Sequence, residues 1–84
     1  MKFTIDVTQE DINDGKQKSY WKCPIALALK RKTGKDYFVS YMVSLSNDIE
    51  SKLVPIPPLA ADFIRAFDAG RPVHPFTFEI ELPA

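Results

Sequence analysis

The sequence predicts an α+β fold: a four-stranded, mainly antiparallel sheet with two to three helices on one face, in the order β-(αα)-β-β-α-β. Three observations predict it. Apolar residues alternate with polar ones near both ends (Phe3, Ile5, Val7; Phe76, Phe78, Ile80, Leu82), and period two recurs through Tyr37–Leu45, as in a half-buried strand. Leu59, Phe63 and Phe67 recur at four-residue spacing, the period of an amphipathic helix. Proline and glycine stand where elements begin or stop. Helices on one face of an antiparallel sheet suit such a pattern, and the element order also fits the ferredoxin-like plait.

Each element has its own local warrant. Lys2–Val7 is a strand with Phe3, Ile5 and Val7 on one face. Thr8 reads as an N-cap, with Asp11 three residues on completing a capping box. A short helix over Gln9–Asn13 then ends at Gly15, where a left-handed residue costs little. Residues 16–22 form a loop. Pro24 suits the first turn of a second helix, which runs through Ile25–Leu29 and stops near Gly34. Tyr37–Leu45 reads as one strand, with Val39, Tyr41, Val43 and Leu45 opposed to Phe38, Ser40, Met42 and Ser44. Ser46-Asn47-Asp48 is turn chemistry, and Ile49–Val54 returns as the other arm of a hairpin. Pro58–Ala69 is the third helix, closed by Gly70, with Leu59, Ala60, Phe63, Ile64 and Phe67 inward. Phe76–Leu82 is the last strand, with Thr77, Glu79 and Glu81 outward.

Eighty-four residues make one domain, burying about 60–65% of the surface its unfolded chain exposes. A hydrophobic content of 45% with 26% charged residues is that of a globular protein. The single cysteine, Cys23, allows no intrachain disulfide. No apolar run approaches the ~20 residues that span a bilayer, and no secretory signal is evident, so a cytoplasmic protein without membrane contact is expected.

Charge is the informative property. Eleven cations balance eleven acids, so the composition lacks the basic excess of a dedicated nucleic-acid binder. Yet Lys16, Lys18, Lys22, Lys30, Arg31, Lys32 and Lys35 occupy a stretch without one acid. Inside it lies Tyr20-Trp21, with the only tryptophan. Lys30-Arg31-Lys32 either complements a helix C-terminus, worth about 0.3–1 kcal/mol per exposed cation, or meets an anionic partner. Tyr20 and Trp21 either fold onto the core or anchor an interface, where aromatics and arginine dominate the energetics. Phe38 and Met42, on one strand face, are either exposed together as a partner or homodimer surface or covered by the N-terminal turn or the loop.

Catalytic and metal chemistry find little support. Cys23 at a helix start, beside Lys22, has the position of an activated thiol. Its only candidate base, His74, is distant in sequence. One Cys and one His make a poor zinc set, and Asp11/Asp14 and Glu79/Glu81 match no ligand loop. No glycine-rich phosphate loop is present, because Gly15, Gly34 and Gly70 each punctuate an element end. Lys35–Tyr41 departs from the aromatic RNA-recognition strand, with Asp36 where that motif has glycine.

Three segments carry a resemblance: Val7-Thr8-Gln9-Glu10-Asp11-Ile12 ending at Gly15, Cys23-Pro24-Ile25-Ala26-Leu27-Ala28, and Phe63-Ile64-Arg65-Ala66-Phe67-Asp68-Ala69-Gly70-Arg71-Pro72-Val73 followed by Pro75-Phe76-Thr77-Phe78. In these the chain resembles a set of small uncharacterised proteins of phages, prophages and bacterial genomes. That resemblance transfers no activity, cofactor or binding residue. It implies a setting in which a small protein acts by binding a host protein or nucleic acid.

The resulting expectation is a non-enzymatic protein, without cofactor or metal, that engages another protein. The partner-binding residues are Tyr20, Trp21, Lys22, Lys30, Arg31, Lys32 and Lys35, with Phe38 and Met42 as a second surface. The alternative is a nucleic-acid binder using the basic Lys16–Lys35 edge, and an enzyme working through Cys23 is the weakest reading.

Overall fold

The computed structural model describes residues 2–40, 42–45 and 54–82, with 42–45 as backbone. The elements are β1 (Lys2–Val7), α1 (Gln9–Asp14), α2 (Pro24–Thr33), β2 (Tyr37–Val39), β3 (Met42–Leu45), β4 (Val54–Pro55), α3 (Pro58–Asp68) and β5 (Phe76–Glu81). The α+β class is as expected. The sheet is not: the described strands form two sheets, β1–β5 and β2–β3–β4, where a single sheet of four was expected. β1 lies antiparallel to β5 from Lys2 opposite Glu81 to Val7 opposite Phe76. The ferredoxin-like plait, which needs one continuous sheet, is not formed by these pairings.

The stretch expected as one strand over Tyr37–Leu45 is a hairpin of β2 and β3. Tyr37 faces Leu45, Phe38 faces Ser44 and Val39 faces Val43. In that register odd positions oppose odd positions, so period-two alternation passes through the reversal unchanged. Alternation alone therefore cannot distinguish this hairpin from a straight strand. The return arm meets β3 at Val54 and Pro55; the rest of the expected Ile49–Val54 arm and the Ser46-Asn47-Asp48 turn lie outside the described residues.

The capping box at Thr8 is complete. Its hydroxyl accepts from the Asp11 N–H at 3.2 Å, and the Asp11 carboxylate accepts from the Thr8 N–H at 2.9 Å. Gly15 follows α1, as expected, but with φ −69° it is not left-handed. Glycine is required there by crowding. A Cβ would come within 2.6 Å of the Pro24 ring and 2.8 Å of the Asp11 carbonyl. Gly34, at φ 77°, does close α2 in the left-handed conformation.

Ile5 and Val7 of β1, Ile25, Ala28 and Leu29 of α2, and Phe78 and Ile80 of β5 are buried, with Leu82 beyond β5. Ala60, Phe63 and Ile64 turn α3 into the same core, with Phe67 packed at its margin. Leu59, expected inward, is 56% exposed. It stands in the first turn, at the edge of the arc through Ala60, Phe63, Ile64 and Phe67.

Candidate functional site

The segment between α1 and α2 is polar and basic, so little apolar burial holds it, and hydrogen bonds fix it instead. Its neck is closed by the Lys16 N–H donating to the Lys22 carbonyl at 2.8 Å. Two residues tie it to the end of α3: the Gln17 amide donates to the Phe67 carbonyl at 3.1 Å, and the Lys18 N–H to Asp68 Oδ1 at 2.9 Å. Lys18 holds a φ of 58°, uncommon for a residue with a side chain. The other flank pairs with β2, where the Val39 N–H donates to the Tyr20 carbonyl at 2.8 Å.

This scaffold presents the aromatic pair. Tyr20 stacks on Phe38 with centroids 4.6 Å apart and planes at 25°, and Trp21 meets Phe38 edge-on at 5.4 Å. Tyr20 remains 52% and Trp21 47% exposed. Phe38 is half-buried beneath them, so the loop covers it and it is not part of an open patch of its own. The side chain of its expected companion, Met42, lies outside the described residues.

Two clefts adjoin the aromatic group. One, of about 550 Å³, is lined by Tyr20 and Phe38, by Cys23, Val39 and Ile64, and by Lys18, Ser19, Ser40 and Asp68. The other, of about 710 Å³, is lined by Trp21 and Leu27, by Lys16, Lys22 and Lys30, and by Asp14 and Asp36. Lys30 is bound to Asp36 at 2.9 Å. Lys16 and Lys22 form no ion pair with a described residue.

The structure thus brings Tyr20, Trp21, Lys22, Lys30 and Phe38 together and adds Lys16 and Lys18, whose place depends on how the loop closes. Arg31 does not join them. It turns toward α1, donating to both carboxylate oxygens of Asp11 and to the Asp6 carbonyl, and so serves the fold. The reason is the buried Asp11, which needs a cation. Burial alone would raise the Asp11 carboxyl, but hydrogen bonds from Arg31 and Thr8 hold it below the usual range. Lys32 and Lys35 are exposed and line neither cleft.

Cys23 is the N-cap of α2, its sulfur accepting from the Ala26 N–H at 3.4 Å. Burial pushes its thiol up, with backbone hydrogen bonds opposing, the reverse of what a nucleophile needs. His74 is exposed between α3 and β5. Among the described residues no three His, Cys, Asp or Glu side chains are grouped to hold a metal ion. No helix among them is long and apolar enough to cross a membrane. Sought among family models, curated proteins and solved structures, the chain finds no match.

Proposed function

We propose that this chain is a small non-enzymatic binding protein that engages another protein through Tyr20, Trp21 and the lysines beside them. The observation that carries the reading is the pair of half-exposed aromatic rings on a loop pinned by backbone hydrogen bonds. Rigid, exposed aromatics bordered by charge are the usual anchors of protein interfaces. The resemblance to phage-type proteins suggests that the partner is a host protein.

The nucleic-acid reading draws on Trp21 beside Lys16 and Lys22, an arrangement on which an unpaired base could stack. Against it stand Asp14 and Asp36 in the same cleft and the commitment of Arg31 to Asp11. Affinity capture from a host lysate tests the choice, comparing the wild type with Trp21→Ala and Lys32→Ala. A protein retained by the wild type and Lys32→Ala but lost with Trp21→Ala is the expected result. Labelled single-stranded DNA or RNA that binds and weakens steeply between about 50 and 200 mM salt would overturn it.

A further inference from the structure

Resting on that reading, we infer that the face takes a linear peptide segment, with a large apolar side chain seated in the Cys23–Ile64 cleft and an adjoining carboxylate on Lys16 and Lys22. Tyr20 borders one cleft and Trp21 the other. These two residues are consecutive in the chain, so the clefts flank a single dipeptide of the loop, and an extended segment laid across it is placed to offer side chains to both. Such a segment advances about 3.3 Å per residue with successive side chains on alternate sides.

The two clefts ask for different chemistry. The first has an apolar floor of Cys23, Val39 and Ile64 beneath aromatic walls, and its volume falls in the range of about 300–1,000 Å³ typical of sites that enclose a ligand group. In the second, three lysines outnumber two carboxylates, and the Lys30–Asp36 bond leaves Lys16 and Lys22 to meet incoming negative charge. A polyanion suits only the second cleft and meets Asp14 there. A segment carrying a large apolar residue beside an acid suits both.

The test is selection from a displayed library of random linear peptides on the immobilised full chain. Enriched peptides are expected to join a large apolar residue to Asp or Glu, and synthetic copies to shift the emission of Trp21, the only tryptophan. Binding is expected to weaken about tenfold or more on Trp21→Ala and comparably on Lys16→Glu with Lys22→Glu. Ser40→Phe, which obstructs the apolar cleft and leaves the lysines intact, is expected to weaken it too. Circular dichroism identifies any variant that fails to fold. Enrichment of no Trp21-dependent peptide, or of peptides without acid, overturns the proposal, as does peptide binding indifferent to Ser40→Phe in the folded variant. Trp21-dependent dimerisation would assign the face to a second copy and overturn it as well. If a lysate protein is captured through Trp21 while no peptide is, the protein-binding reading stands and the peptide proposal alone falls.

Discussion

Arg31 grips Asp11 with both prongs of its guanidinium, Nη1 to Oδ1 at 2.6 Å and Nη2 to Oδ2 at 2.9 Å. The same Nη2 reaches the Asp6 carbonyl at 2.8 Å, so one side chain joins α2 to α1 and to β1. Asp11 is 5% exposed, and an unpaired carboxylate there is costly. Removal of one partner from a buried pair costs about 3–5 kcal/mol. The half-exposed guanidinium discounts that figure for solvent screening, and Arg31→Ala is expected to lose about 2 kcal/mol. Urea unfolding measures it, and a loss no greater than that of Lys32→Ala would refute the linkage.

The same pair sets an acid limit. The folded Asp11 carboxyl binds its proton more weakly than the unfolded one, whose ordinary value is 3.8. Below that value the unfolded chain holds more protons, so acid favours unfolding. The contribution is full above about pH 5 and is lost as pH falls through the unfolded value and then the depressed folded one. Asp11→Asn is expected to be less stable at neutral pH and to show a flatter decline in acid, as read from melting temperature against pH.

Phe38 supports both rings of the exposed pair. Its truncation to alanine removes a stacked and an edge-on contact, each worth about 0.5–1.5 kcal/mol, and frees Trp21 to solvent. Phe38→Ala is expected to unfold at lower urea and to red-shift the tryptophan emission. An unchanged spectrum would mean that Trp21 is held by something other than Phe38.

Gly15→Ala tests crowding against backbone freedom. At φ −69° alanine is conformationally welcome and would ordinarily stabilise by about 0.4–1 kcal/mol. The Pro24 ring only 2.6 Å from the new Cβ reverses the sign. A loss of about 1–3 kcal/mol is expected in denaturant titration, and any gain would show that α1 and α2 separate easily.

What was legible in the sequence was local. The Thr8 capping box, Pro24 at the start of α2 and the Phe76–Leu82 alternation each depend on residues a few positions apart, and the structure shows all three. The β2–β3 hairpin was hidden by its own register, which preserves parity across the turn. The bond between Asp11 and Arg31 spans twenty positions, and no local pattern announces it, so Arg31 read as one more member of a basic run. For the site, Tyr20 and Trp21 stood out by composition. Lys16 and the floor of Cys23 and Ile64 depend on a closure that only tertiary contacts define.

The segment from Lys16 to Lys22 is tied at its neck, to α3 and to β2. It has surrendered most of its conformational freedom during folding, before any ligand arrives. If the proposed face takes a partner, association costs chiefly rigid-body freedom. The corollary concerns distance. On the proposed reading Gln17, which holds the loop to the end of α3 and lines neither cleft, is expected to influence affinity without touching a ligand, because loosening it restores an entropy that binding must again remove.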